Sequence, residues 1–445
     1  MKNAVISVFD RAFKLSRRGT GIGTELIAGL STFAAMAYIL AVNPAILSAT
    51  GMDKAALVTV TALAAAAGCV LMALMTNLPI ALAPAMGTNS YFALIICAGM
   101  GLRWQEALAL VFYNGIFFLV ISVTGLREKL VYGVPRPIQV GLQCGIGMFI
   151  AFFGFQSSKL IVRSDATLVT GGVLASPECL FALFGIAMMS VLMARKFKGA
   201  IVVSIAVLTV VAFAVTDSQG HRLAQPPDAV FSVPHGISAT FLQLDWLYPF
   251  RDFNKALPVI FVLLMLDMLD TIATVIAMGR RTGLMDKNGR MKGLGRALTA
   301  DASATIVGAL LGTSTTGAYV ESSAGIEAGG RTGLTSLVVA ALFVLALFFS
   351  PLINAVPPEA AAPALVIIGV MMMQGMKDLN FDDPVELIPA IISMMMIALT
   401  FKISEGFAFG IISYVLLLLA LRRAKEIGVT TWVLFALMCA FLAMS

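Results

Sequence analysis

The sequence predicts an all-α, polytopic membrane protein, on three observations. Of its 445 residues, 59% are hydrophobic and 12% charged, about half the charged fraction of a soluble domain. Mean hydropathy is +0.95. The apolar residues form runs of 15 to 23 residues along the whole chain, divided by short polar breaks, as helices crossing a hydrocarbon layer of about 30 Å require. A transmembrane β-barrel would instead show short alternating segments.

In chain order the runs are Glu25 to Leu47, Ala55 to Met75, Glu106 to Val123, Gln139 to Phe155, Leu180 to Ala194, Ala200 to Val215 and Leu257 to Met278. They continue with Ala297 to Leu311, Thr335 to Leu352, Ala361 to Gly375, Leu387 to Phe401, Gly406 to Leu421 and Thr431 to Met444. The last is a weak crossing that could equally lie against the bundle. Two further stretches, Ala83 to Cys97 and Gly312 to Gly330, are apolar enough for membrane depth but are broken by Pro, Gly, Asn, Ser and Thr. No cleavable signal is expected, because the first run is too long for one.

Basic residues set the expected orientation. Lys2, Arg11, Lys14, Arg17 and Arg18 should hold the N-terminus in the cytoplasm. With both interrupted stretches counted as crossings, Arg127, Lys129, Arg136, Arg195, Lys196, Lys198, the group from Arg280 to Arg296, Arg331 and the cluster Arg422, Arg423 and Lys425 fall on the same side. The net charge of +6 therefore reads as positive-inside topology in a plasma or inner membrane, with no nucleic-acid partner. The long outside loop carries Trp246 and Tyr248, an expected interfacial anchor.

Val134-Pro135 precedes one run and Val356-Pro357 another, on opposite sides by the charge count. Each half also holds one interrupted stretch, so the halves read as inverted repeats, the arrangement in which transporters bind substrate between broken helices. The expected division is a cytoplasmic arm over 1–23, a first repeat over 24–215, an outside loop over 216–256 and a second repeat over 257–445.

The broken stretches carry the chemistry. The first reads Ala83-Pro-Ala-Met-Gly-Thr-Asn-Ser-Tyr-Phe92: Pro84 removes a donor, Gly87 admits close approach, and Asn89 can donate and accept at once. The second, Gly312 to Gly325, packs six hydroxyl residues, three glycines and Glu321 into fourteen positions. An acid at that depth is costly and by default functional. A third element, Leu264 to Thr274, places Asp267 and Asp270 at i and i+3 on one helix, where both cannot easily be charged; Thr271 follows directly. Asp301 is a further buried acid, for which bonding to neighbouring hydroxyls and a direct role are both open. The five cysteines have no metal-ligand spacing and His221 and His235 share one polar stretch, so no metal, cofactor or enzymatic constellation is expected.

These motifs have a family likeness. Ala83-Pro-Ala-Met-Gly-Thr-Asn89, Leu269-Asp270, Gly312-Thr-Ser314, Ala318-Tyr-Val-Glu321-Ser-Ser-Ala-Gly325 and Gly329-Gly-Arg-Thr-Gly-Leu-Thr335 resemble the AzgA-type purine permeases, proton-coupled nucleobase symporters, over about residues 20 to 425. The resemblance implies about fourteen transmembrane segments in two inverted repeats of seven, with core and gate domains. It also implies short extended pieces in the two broken helices near the midplane, and a purine bound at the core–gate boundary. By likeness Asn89, Asp270 and Glu321 match substrate-contacting positions and Gly87 a close-approach glycine. The chain departs from the family at Thr88, commonly apolar, at Ser90, commonly Ala, and at Ala273, commonly Gly, which bears on the pocket's fine shape.

A purine is flat and rich in N–H donors, so Asp270 and Glu321 should accept from it, with Asn89, Thr271 and the backbone near Gly87 and Tyr319 completing the edge. Tyr91, Phe92 and Tyr319 are stacking candidates. Glu321 is the first candidate for the coupling proton, Asp267 the second, and Asp301 a third; sodium coupling is less supported. The family likeness admits a homodimer. Two alternatives stand beside uptake of adenine, guanine or hypoxanthine: an anion transporter of the same fold, which would favour helix N-termini and a basic residue over acids, and a non-transporting receptor.

Overall fold

The computed structural model describes residues 10–124, 134–165, 167–197, 199–227, 229–282, 291, 293–400 and 403–444. Among the orienting basic residues, Lys2, Arg127, Lys129, Lys198, Lys287, Arg290 and Lys292 lie outside these. The helices in the first half are α1 (Ile22–Met36), α2 (Ile39–Leu47), α3 (Lys54–Thr76), α4 (Met86–Ser90), α5 (Trp104–Thr124), α6 (Arg136–Ser157), α7 (Pro177–Ala194) and α8 (Ala200–Ala212). Strand β1 (Leu82–Pro84) precedes α4, and β2 (Ile161–Ser164) and β3 (Leu168–Gly171) form a hairpin after α6. The second half holds α9 (Phe253–Arg281), α10 (Leu294–Leu311), β4 (Thr316–Ala318), α11 (Ser322–Glu327), α12 (Gly333–Ala346), α13 (Pro358–Met372), α14 (Pro384–Thr400), α15 (Ile403–Ala420) and α16 (Val429–Met444).

Among the described residues, eight helical stretches are long and apolar enough to cross a membrane, and four apolar helices are shorter. The protein is thus multi-pass. The run expected over Glu25 to Leu47 is two helices, broken at Ala37 and Tyr38, and the weak final run is helical throughout as α16.

The chain divides into two compact units, each drawing on both halves of the sequence. The first comprises residues 1–123 and 187–361. Here α3 packs against α10 and α12, and α1 against α11 and α12. Asp53 caps α3 by accepting from Ala56 N at 2.7 Å, and Asn77 ends it in the left-handed region at φ 55°, a conformation asparagine tolerates. The Asn77 side chain then ties two distant segments, donating to Phe13 O at 2.8 Å and accepting from Gly333 N at 2.8 Å. Buried Glu25, at the start of the first run, receives Arg331 N, Thr332 N, Thr335 N and the Thr335 hydroxyl at 2.5 to 3.4 Å. It thereby satisfies the donors that the start of α12 would otherwise leave orphaned. Gly325 lets α11 close onto α1, since a Cβ there would lie 2.2 Å from Thr32 Oγ1.

The second unit comprises residues 124–186 and 362–445. Its centre is α6 against α14 and α15, through backbone contacts that only small residues allow. A Cβ at Gly141 would meet Ala390 O at 2.6 Å, and one at Gly147 would meet Gly369 O at 2.6 Å.

In the outside loop predicted from sequence, Trp246 is exposed and packs edge-on to Phe112 at 4.9 Å, while Tyr248 is buried at the start of a one-turn helix.

Candidate functional site

Both interrupted stretches fold alike, each as a three-residue strand followed by a short helix. Strands β1 and β4 pair antiparallel, with Leu82 opposite Ala318, Ala83 opposite Gly317 and Pro84 opposite Thr316. Ala85 N donates to Thr315 O at 2.9 Å and Tyr319 N to Ala81 O at 3.0 Å, extending the ladder past both ends. This pairing satisfies backbone groups that an irregular segment would otherwise leave without partners. Pro84 ends β1, and Gly87 lies in the first turn of α4; Gly312, at φ 105°, ends α10 in a conformation that favours glycine. From α4 the chain continues in π-helical turns over Tyr91–Gly99.

Around this pairing stand the acids. Asp270 on α9 is exposed and makes no hydrogen bond among the described residues. A methyl group on Gly317 would come within 3.8 Å of its Oδ2 and of Thr271 Oγ1. Glu321, half-buried at the start of α11, accepts from the Tyr38 hydroxyl at 2.5 Å. The Tyr319 hydroxyl donates to Pro84 O at 2.6 Å, so this ring is tied to the other broken segment. Asp270, Glu321 and Tyr319 lie close enough to interact electrostatically. Among the described residues no ion pair joins either acid to a basic side chain.

Asn89 is buried, and its amide is engaged on both sides. Its Nδ2 donates to Asn43 Oδ1 at 2.5 Å and its Oδ1 accepts from Ser314. Asn43 in turn donates to Thr61 at 2.7 Å and Thr313 at 3.2 Å. Thr315 donates to Thr88 at 2.5 Å, so Thr88 and Ser314 knit the two broken stretches together. Gly87, half-buried, lies beside this frame at the start of α4.

Of the remaining predicted residues, Thr271 stands beside Gly317 as Asp270 does, and the others lie elsewhere. Asp267 is buried and accepts from Asn114 Nδ2 at 3.4 Å and from Thr305 at 3.3 Å. Asp301, also buried, accepts from the Thr271 hydroxyl at 2.7 Å. Both lie between α9 and α10, and Thr271 serves that contact. Tyr91 and Phe92 are core residues.

The structure therefore brings together Asp270, Glu321, Tyr319 and Gly317, and separates from them Asp267 and Asp301. Sequence reasoning missed Tyr38, Asn43 and Gly317. Asn43-Pro44 inside the first apolar run was a usable signal of the kind that singled out Asp267; Tyr38 carried none. Among the described residues no group of His, Cys, Asp and Glu could hold a metal ion.

Comparison with known proteins follows the same line. The family described as Permease family (Xan_ur_permease) matches residues 23–409. The chain is 38% identical to the guanine/hypoxanthine permease PbuG of Bacillus subtilis, over 95% of this chain and 97% of that protein. It is 36% identical to the adenine permease AdeQ of Escherichia coli, over 96% and 94% respectively. Among solved structures, the transmembrane domain of a cyanobacterium bicarbonate transporter, BicA, superposes with a TM-score of 0.65 at 16% identity, covering 87% of this chain and 97% of that one. At that identity the likeness is one of fold alone.

Proposed function

The chain belongs to the Xan_ur_permease family, and from that premise we propose that it takes up purine nucleobases across the cytoplasmic membrane together with a proton. The observation that carries the reading is the pair of carboxylates, Asp270 and Glu321, set beside the β1–β4 pairing without a basic partner. Anions would be repelled there, which argues against an anion transporter. A neutral base suits the site: its N–H groups donate to the two carboxylates, and the narrow backbone at Gly317 and Gly87 admits a flat ring. Relatives named for adenine and for guanine and hypoxanthine support the substrate class.

Asn89 enters this reading as part of the frame. A base meets its amide only by displacing Ser314 or Asn43. Uphill uptake of a neutral base requires a coupled cation, and one charge moving down 100 mV supplies about 2.3 kcal/mol. Glu321 is the acid we assign to the proton, because it stands at the site and already has a hydrogen-bond partner from a second element. Asp267 and Asp301, buried between α9 and α10, are the further candidates.

The test is uptake of labelled adenine, guanine and hypoxanthine by cells lacking their own purine carriers. Glu321→Gln and Asp270→Asn should each abolish uptake while the protein remains in the membrane, and a protonophore should abolish accumulation by the unmodified chain. Normal saturable uptake by both variants would overturn the site; accumulation that follows sodium and ignores the protonophore would overturn the coupling.

A further inference from the structure

Tyr38 stands in the break between α1 and α2, 4% exposed. Its hydroxyl donates to Glu321 Oε1 at 2.5 Å and meets no other hydrogen-bond partner among the described residues. Another flank of the residue faces an apolar cavity of about 470 Å³, beside Phe33, Ala37, Ala41 and Phe349. The one other side-chain hydroxyl lining that cavity, Thr209, donates to Ile205 O in its own helix. A buried phenol left unpaired would be costly. Glu321 is the acceptor that Tyr38 has among the described residues.

The consequence falls on the carboxylate. A glutamate has three side-chain torsions, and a free one must give up that rotational freedom when it binds a ligand. A hydroxyl that donates to Oε1 leaves Oε2 to the base or to the coupling proton. It restrains Oε1 and so limits the rotations open to the group. Asp270, across the site, has no such tether among the described residues. The site thus has one acid held by a second element and one left to adjust.

We propose that Tyr38 is a positioning residue for base recognition: by holding Oε1 of Glu321 it turns Oε2 toward the base. The proposal rests on the purine reading of the site. It assigns Tyr38 no contact with substrate; the hydroxyl acts through Glu321, so its loss falls on affinity rather than on the rate of the loaded carrier. The ring is a separate matter, because it closes the cavity wall whether or not it carries a hydroxyl.

Tyr38→Phe keeps the ring and removes the hydroxyl. In proteoliposomes its apparent KM for the transported base should rise about tenfold, the loss expected for one hydrogen bond, with the maximal rate unchanged. Glu321→Asp withdraws the carboxylate by one methylene and should raise KM by itself. The double variant should then show no further rise from Tyr38→Phe, because residues acting through one contact are not additive. An unchanged KM in Tyr38→Phe, a lowered maximal rate at constant KM, or additive losses in the double variant would each overturn the proposal. Normal uptake by Glu321→Gln is a different result: it removes Glu321 from the site, and with it the purine reading on which the proposal stands.

Discussion

Thr271 donates to Asp301 at 2.7 Å, one helical turn along α9 from the point where Asp267 accepts from Thr305 at 3.3 Å. Thr271 and Asp267 are four residues apart on α9, as are Thr305 and Asp301 on α10, so each helix offers the other one acid and one hydroxyl. The two pairs form rungs between α9 and α10, beside the strand that carries Gly317.

Removing one rung should loosen the helix pair without touching the base. Thr271→Val keeps the shape and deletes the donor to a buried carboxylate, which costs about 1 to 3 kcal/mol. Thermal unfolding in detergent should show that loss, while KM for the base stays within about twofold. A large rise in KM with unchanged stability would place Thr271 in the binding site.

The engaged amide of Asn89 makes a second prediction. If Asn89 acts as frame, Asn43→Ala should impair uptake as Asn89→Ala does, since either change strands buried polar atoms worth about 1 to 3 kcal/mol each. Parallel losses of folded carrier and uptake in both variants are expected. Normal uptake by Asn43→Ala, beside a dead Asn89→Ala, would mean that Asn89 reads the base itself.

In the proposed site, Gly317 would set the clearance. A methyl group there would stand 3.1 Å from Ala85 Cβ and 3.8 Å from Asp270 Oδ2. Gly317→Ala should fold, because a shift of a few tenths of an ångström relieves the first contact, yet raise KM several-fold by narrowing the approach to Asp270. Gly317→Val should eliminate uptake. Competition assays across purines of different ring substitution would measure the clearance directly.

Glu25, bonded to the start of α12, should matter for stability alone. Glu25→Gln replaces an acceptor oxygen with an amino group facing the N–H donors of α12, at a cost of about 1.5 to 3 kcal/mol. The variant should unfold at lower temperature, with an unchanged KM in whatever protein remains folded.

Much of this was legible beforehand, because a bilayer makes the rules strict. Apolar length reported the helices, and Pro84, Gly87 and the hydroxyl-rich stretch before Glu321 marked where they break. Acids in apolar runs drew attention to Asp270 and Glu321, which the structure sets beside the β1–β4 pairing. The same rule also marked Asp267 and Asp301, which bond instead to threonines and Asn114, since residue type alone does not tell which face of a helix meets which neighbour. Asn89 was found for its hydrogen-bonding capacity, but nothing in the sequence says that Asn43 and Ser314 use it. Tyr38 was hidden because an aromatic residue in an apolar run looks like packing. Strands of three residues have no period to detect, so the register of Leu82 with Ala318 could not be read from either segment.

That register also bears on how the protein is made. Leu82 and Ala318 belong to opposite halves of the chain, so during synthesis β1 is made well before β4 exists. In a bilayer its backbone amides and carbonyls would until then have neither water nor partner, a state the membrane interior penalises. The first half should therefore wait with this segment in water, and closing the pair becomes a late, long-range step of the kind that slows folding. Ribosome-bound chains ending before Thr313 should accordingly label strongly at a cysteine placed at Ala83, and lose that labelling once Ala318 and the residues after it have emerged.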